Sequence, residues 1–415
     1  MTIFTVLQFS SRVLAALVCL CYFYQIVYLF VPFFLKKKEH GPEKAARYAV
    51  LIAARNEEAV LPYLLDSLAA QDYPAELVDV YVAADNCTDR TAALAREHGA
   101  RVFERFDTRR VGKGYALNFL LERMREAGVL EDYDAFLVFD ADNLLCPDYI
   151  RQMNRLCSDG FEAFCGYRNS KNFADNWISA GYALWYLHDS VHLNQSRMLL
   201  GTTCAVSGTG FGFTRGLLER LGGWNFFTLT EDIEFDTWCA VHGVRIGFCR
   251  EAMLYDEQPT SFRQSWRQRT RWIQGGVQVS LRYGLTLLRG MFRGGGTAYA
   301  CFETATLSLW GYGMSALASA LAITCAFLSQ RWPGVLLWLC ASVAGMYLAM
   351  LPVGLLTILT ERRYIRCSGK KLAVAAALFP IFMMSYIPIA LSALFRPFRW
   401  QPIEHTVAVA IGELP

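Results

Sequence analysis

The chain is poor in charge. Asp, Glu, Lys and Arg make up 19% of its 415 residues, while the hydrophobic fraction reaches 54%. Soluble domains carry about 25% charged residues, so this balance points to membrane spans. No basic patch interleaved with aromatics stands out, and the net charge is only +3, so nucleic acid is not an expected partner. The 13 cysteines include no CxxC pair and no Cys–His run at zinc spacing, which argues against a zinc site or a disulfide framework. They are odd in number and scattered. Several of them (Cys19, Cys21, Cys301, Cys325, Cys340) sit in apolar runs, as reduced residues facing a cytoplasm do. Internal repeats and low-complexity tracts are missing as well.

What the chain has instead is long apolar runs. Val13 to Leu35 is apolar and aromatic and stops at Lys36-Lys37-Lys38. About 20 such residues cross a bilayer. A signal peptide is the rival reading, but its core would be shorter, its charges would lie in front and a small-residue cleavage site would come after it. With the charge behind, the positive-inside rule places these lysines and the residues after them in the cytoplasm. Two more spans are expected at Thr304 to Leu328 and Val335 to Leu359, joined by a tight turn at Gln330-Arg331-Trp332-Pro333. The loop Arg362 to Lys371 carries five basic residues and belongs inside. Leu372 to Phe395 holds Pro380 and Pro388. Either it spans, leaving Arg396 and Arg399 outside against the rule, or it re-enters or lies at the interface, returning Trp400 to Thr406 to the cytoplasm. The second course is the expectation.

From Arg47 the pattern alternates between strands and helices. Strands are expected at Tyr48–Ala54, Val78–Ala84, Arg101–Glu104 and Ala135–Phe139, with helices at Glu57–Ala70, Thr88–His98 and Gly112–Ala127 between them. Such alternation implies right-handed crossovers and a parallel sheet covered on both faces. Ligands of open α/β sheets sit at the carboxyl ends of the strands. There the chain places Arg55-Asn56-Glu57-Glu58, Asp85-Asn86-Cys87-Thr88-Asp89, Gly112-Lys113-Gly114 and Asp140-Ala141-Asp142. Two acids at i and i+2 can hold a hard divalent cation against nucleotide phosphates, or they are an acidic turn. Asp85 can accept from a base N–H, or it and Asp89 are helix caps. Lys113 at a helix start can meet a phosphate, or it is a solvated surface lysine.

Later in the chain, helices are expected at Pro147–Cys157 and Asp175–Met198. The second contains His188 and His192 at i, i+4, a spacing read as packing in the absence of a nearby acid set. Thr203–Phe213, with Ser207-Gly208-Thr209, is small and flexible enough to bring backbone close to a ligand. Asp232, in Thr230-Glu231-Asp232, stands at a helix start as a capping-region acid or a general base. Ser265 to Leu288 is an amphipathic helix suited to the membrane interface. Its opening, Gln268-Arg269-Thr270-Arg271-Trp272, either serves that role alone or adds Arg271 for a diphosphate and Trp272 as a platform for a sugar face.

Asp140-Ala141-Asp142, Thr230-Glu231-Asp232 and Gln268-Arg269-Thr270-Arg271-Trp272 match, in order and spacing, the DxD, TED and QxxRW motifs of the membrane-embedded processive family-2 glycosyltransferases. From about Arg47 to Thr406 the chain resembles these synthases of hyaluronan, chitin, cellulose and poly-N-acetylglucosamine. The resemblance implies an α/β, Rossmann-like, GT-A type cytosolic domain with a mostly parallel sheet, plus transmembrane and interfacial helices. It implies inverting transfer from UDP-glucose or UDP-N-acetylglucosamine to a growing β-linked polysaccharide, which is extruded. The alternative is transfer of one sugar to a lipid acceptor. By the same resemblance Asp232 is the base. Glu57, Asp85, Lys113, Asp140 and Arg271 bind the nucleotide sugar, and Asp142 binds Mg²⁺ or Mn²⁺. Ser207, Gly208, Thr209, Gln268 and Trp272 lie on the acceptor side, and Trp400–Thr406 is loosely similar to a lid. Glu303 either lines the path of the product or sits at the headgroup level. The expected layout is a first span within 1–40, a cytosolic catalytic domain over 41–262, an interfacial region over 263–296, further spans over 297–395 and a cytosolic tail over 396–415. The expected location is the cell membrane, with several passes and the catalytic domain in the cytoplasm.

Overall fold

A strand buried on both faces needs apolar side chains at every position, because it has no solvent side to present. Tyr48–Ala54 meets that condition and forms β1, flanked by β2 (Val78–Asp85) and β4 (Ala135–Asp140), both parallel to it. The computed structural model describes residues 3–36, 40–329, 332–395, 407, 409 and 411–413. Parallel β3 (Arg101–Arg105) completes this half of the sheet. The other half comes from β5 (Leu144–Leu145), β6 (Ala163–Ser170), β7 (Phe211–Thr214) and β8 (Ile246–Asp256), in the overall order β3-β2-β1-β4-β7-β6-β8-β5. β7 runs antiparallel between β4 and β6, and β8 runs parallel to β6.

Alternation along the strands divides two cores. Ala49, Leu51, Phe136 and Val138 face one layer, and Tyr48, Val50, Ile52, Leu137 and Phe139 face the other. The helices, in chain order, are α1 (Ile3–Phe34), α2 (Leu61–Ala69), α3 (Thr91–Glu97), α4 (Lys113–Glu126), α5 (Tyr149–Ser158), α6 (Trp177–His188), α7 (Gln195–Leu200), α8 (Arg215–Leu221), α9 (Glu231–His242), α10 (Phe262–Gly290), α11 (Gly295–Thr306), α12 (Leu309–Leu328), α13 (Trp332–Glu361), α14 (Gly369–Met384) and α15 (Tyr386–Phe395).

The expected strands up to β4 and the helices between them form within a few residues of their expected ends. Three stretches differ. Asp175–Met198 is not one α-helix: α6 passes into a π-helical stretch, Asp189–Asn194, before α7. His188 and His192 lie at that join with rings 5.4 Å apart, and His192 takes up a hydrogen-bond contact with the Leu29 carbonyl of α1. Burial lowers their pKa values to about 3 and about 4, so both are packing residues, neutral at physiological pH. Second, the end of the supposedly flexible Thr203–Phe213 is buried strand. Gly212 sits where an added Cβ would overlap Phe164 and Leu137. Third, the expected span from Thr304 is broken after Thr306, leaving α11 against α9 and α10 and α12 as a separate apolar helix.

Among the described residues, four segments are long and apolar enough to cross a bilayer: Phe4–Phe34, Trp310–Leu328, Gly334–Tyr364 and Gly369–Phe395. The last is interrupted at Ser385. It runs along the rest of the protein: Lys371 bonds the Ala174 carbonyl, Phe382 lies on Gly181, and the Ala393 carbonyl accepts from Gln274. All 13 cysteines are free. Lys37, Lys38, the turn residues Gln330 and Arg331, Arg396, Arg399 and the lid-like Trp400–Thr406 lie outside the described residues.

Glu303 is not an unpaired acid lining a path. It is buried in an ion pair with Arg197 of α7 (2.7 Å) and accepts from Tyr28 of α1 (3.2 Å). This cluster ties the first apolar helix to the α/β unit.

Candidate active site

The strand ends and α9 meet at one cluster of charge. Lys113 begins α4 behind Gly112, whose φ of +139° turns the chain sharply into the helix. Its ammonium donates to Asp140 Oδ1 (2.5 Å) and to the Gly208 carbonyl (2.6 Å). The Asp140 amide donates to Thr209 Oγ1 (2.9 Å), and Thr209 in turn bonds Asn143. Gly208, at φ +83°, lies so close to α9 that a Cβ there would stand 3.3 Å from Asp232 Oδ2. Lys113, Asp140, Ser207-Gly208-Thr209 and Asp232 are therefore one constellation. The reading of Lys113 as a solvated lysine is set aside.

Asp232 is half-buried in the first turn of α9, and Glu231 beside it is buried. Burial pushes both carboxyls above their ordinary range. The Asp232 charge adds to the push on Glu231, and Lys113 and Arg271 pull both back. Helix α10 brings Arg271 in: its guanidinium donates to the Leu229 carbonyl (2.7 Å), just ahead of Thr230. The two helices come close because Gly275 has no side chain, and a Cβ there would overlap Thr230. Trp272 packs edge-on against Tyr182 (5.9 Å), in a cluster with Tyr186 and Phe382. One turn earlier the Gln268 Oε1 is buried without a hydrogen-bond partner among the described residues, as is the Thr230 hydroxyl.

Asp142 lies on the other side of the same turn, near Asp256. It is 4% exposed and accepts from the Glu257 amide (2.9 Å), toward Asp256 and Lys171. Asp85 is buried and ion-paired with Arg105 (2.6 Å), and it also accepts from Asn86 (2.9 Å). It is not a helix cap. The N-cap of α3 is Arg90, and Asp89 just before it takes the Thr91 amide (3.0 Å) and hydroxyl (2.6 Å). Glu57 is half-buried at the end of β1, its amide held by the Thr91 hydroxyl (2.8 Å).

Sequence reasoning missed Arg168 and Asp256, at the ends of β6 and β8. The Arg168 guanidinium grips Asp256, donates to the Ser207 carbonyl (2.5 Å) and lies 3.7 Å over the Tyr186 ring. Burial raises the Asp256 carboxyl to about 6, with the charges of Asp142 and Asp140 adding and Arg168 opposing. Neither strand had been expected, so no signal placed these two residues beside the Asp140–Asp142 turn.

An open α/β sheet of this kind places its ligand site at the carboxyl edge, where these acids stand. The family described as "Glycosyltransferase like family 2" matches residues 45–275, more than half of the chain, and the protein belongs to that family. It is 30% identical over 240 residues to the beta-monoglucosyldiacylglycerol synthase of Synechocystis sp., covering 56% of this chain and 48% of that one. It is 26% identical over 252 residues to the poly-beta-1,6-N-acetyl-D-glucosamine synthase of Staphylococcus aureus, covering 60% and 58%. The chain thus matches about half the length of these relatives. Among solved structures, the mannosyltransferase PcManGT of Pyrobaculum calidifontis, in complex with GDP-Man and Mn²⁺, superposes with a TM-score of 0.59 at 19% identity over 93% of this chain and 99% of that one. That likeness establishes the GT-A fold.

Proposed function

We propose that this protein transfers one sugar from UDP-glucose or UDP-N-acetylglucosamine to a hydroxyl of a membrane-held acceptor, with inversion. The supporting observation is the position of Asp232, against Gly208 on one side and with Arg271 brought in by α10 on the other. Asp232 accepts the acceptor's hydroxyl proton. The oxygen then bonds the anomeric carbon as the bond from that carbon to the diphosphate oxygen breaks, and UDP leaves with the electron pair. A positioned base contributes about 10²–10⁴-fold. Lys113 and Arg271 face the diphosphate, Asp85 and Glu57 the uridine end, and Gln268 and Trp272 the acceptor.

A divalent cation, Mg²⁺ or Mn²⁺, fits beside the Asp140–Asp142 turn. Among the described residues no three acid, His or Cys groups form a metal shell by themselves. One or two carboxylates completed by donor phosphates and water is the usual Mg²⁺ arrangement. Bound there, it would offset charge on the leaving diphosphate.

The acceptor reading rests on the likeness to a lipid glucosyltransferase. A growing polysaccharide is the second reading, favoured by the Gln268–Trp272 motif and by the poly-N-acetylglucosamine synthase likeness. The proposed layout keeps 41–262 as the catalytic unit in the cytoplasm, 263–296 at the interface and 297–395 in or on the bilayer. The course of α14–α15 along the catalytic unit suits an interfacial path. The test is Asp232→Asn in purified full-length protein, assayed for UDP release from several UDP-sugars. Nucleotide binding should persist while transfer falls at least about 10²-fold. Normal turnover would remove Asp232 as the base, and the length of the product separates the two acceptors.

A further inference from the structure

Where α10 and α15 run side by side they leave an open groove of about 400 Å³, lined by Leu229, Ile273, Gln274, Val277, Gln278 and Leu394. Among the described residues no lysine, arginine or aromatic ring lines it. Two of its polar atoms bond backbone: the Gln274 Nε2 donates to the Ala393 carbonyl (2.9 Å), and the Gln278 Oε1 accepts from the Leu229 amide (3.0 Å). One wall belongs to the apolar segment Gly369–Phe395, and the other to a helix that turns Leu281 and Leu285 outward. The groove is therefore on the side of the protein that meets lipid. Its inner end is Leu229, whose carbonyl Arg271 holds, three residues before Asp232.

We propose that this groove is the port for the acceptor, and that the acceptor is an uncharged membrane lipid with a free hydroxyl. The inference rests on Asp232 as base and deepens that reading by naming the acceptor's class and its route. A hydrated glycan chain would need ring faces and hydrogen-bonding groups along its path. This lining is mainly aliphatic, with one polar atom of each of its two amides bonded to backbone, and Ile273, Val277 and Leu394 match an acyl chain. The lipid's headgroup end then lies at Leu229, where its hydroxyl reaches Asp232. Among the described residues no cation lines the groove itself, so an anionic lipid finds no counter-charge along it.

The test uses the full chain in phosphatidylcholine vesicles containing a dioleoylglycerol analogue with a diazirine in its acyl tail. Irradiation should place adducts on Ile273, Val277 or Leu394, and unlabelled dioleoylglycerol should compete them away. Val277→Trp fills the groove from α10, and Leu394→Trp fills it from α15, so one misfolded variant does not decide the result. Each should cut labelling and lipid glycosylation about tenfold, while UDP binding and slow hydrolysis of the UDP-sugar by water stay unchanged. Adducts confined to the outward faces of the apolar helices, or undiminished in both variants, overturn the port. Competed labelling in the groove of a protein that releases UDP from no donor would overturn the role of Asp232 and leave the port standing. A long polymer made with no labelling of the groove would overturn the lipid acceptor.

Discussion

Lys113→Met is the most telling perturbation, because it separates position from charge. The methionine keeps the stem and removes the ammonium that bonds Asp140 and the Gly208 carbonyl. Loss of charge-assisted bonds of this type costs about 1.5–3 kcal/mol, so kcat/KM should fall roughly 10- to 150-fold at every pH. A second effect is specific to the base. The Lys113 charge holds the carboxyl of Asp232 down against burial. The base works ionised, so activity is present above its pKa and is lost as pH falls through it. Removing a nearby positive charge raises that pKa, so the acid limb of kcat/KM should move to higher pH. Lys113→Arg should return the limb toward its wild-type place. Glu231→Gln should leave it nearly still, because the amide mimics the protonated state that burial favours at Glu231. The assay is UDP release across the acid and neutral range. A limb that stays put or moves down in Lys113→Met would refute the placement of the titrating base beside this lysine.

Other perturbations report on separate parts. Asp142→Asn should abolish the dependence of turnover on added Mg²⁺ or Mn²⁺, and a wild-type metal titration in that variant would remove the assignment. Gly275→Ala should push α10 off Thr230, costing about 1–3 kcal/mol of local packing. It should lower kcat more than UDP affinity, as measured by steady-state kinetics and nucleotide titration. Glu303→Gln leaves the buried Arg197 without its ion-pair partner and should cost about 3–5 kcal/mol, read as a lower unfolding midpoint in detergent.

The parallel half of the sheet was legible because a strand covered on both faces must be apolar where it is covered, as β1 is throughout and β4 is up to Asp140, while β2 interrupts its apolar run only at Asp79 before ending in Asp85. The other half was not. β7 is four residues long and carries Gly212, and β8 has Arg250 and Glu251 in its middle, so neither shows the apolar run or strict alternation of a strand. Glu303 misled for the opposite reason. A lone acid next to an apolar stretch looks like a pore or headgroup residue until its partner, 106 residues earlier, is folded against it.

By itself the sequence determined which groups stand at strand ends. A turn after a buried strand delivers Asp140 and Asp142 to the sheet's edge, and a helix start delivers Lys113 and Asp232, whatever else the chain does. Tertiary structure decided which of these groups share one site. It set Lys113 between Asp140 and Gly208, turned Asp142 toward Glu257, paired Arg168 with Asp256 and laid α10 on Thr230 through Gly275. Those outcomes depend on strand pairing and on helix approach between segments scores of residues apart, which no local pattern of residues encodes.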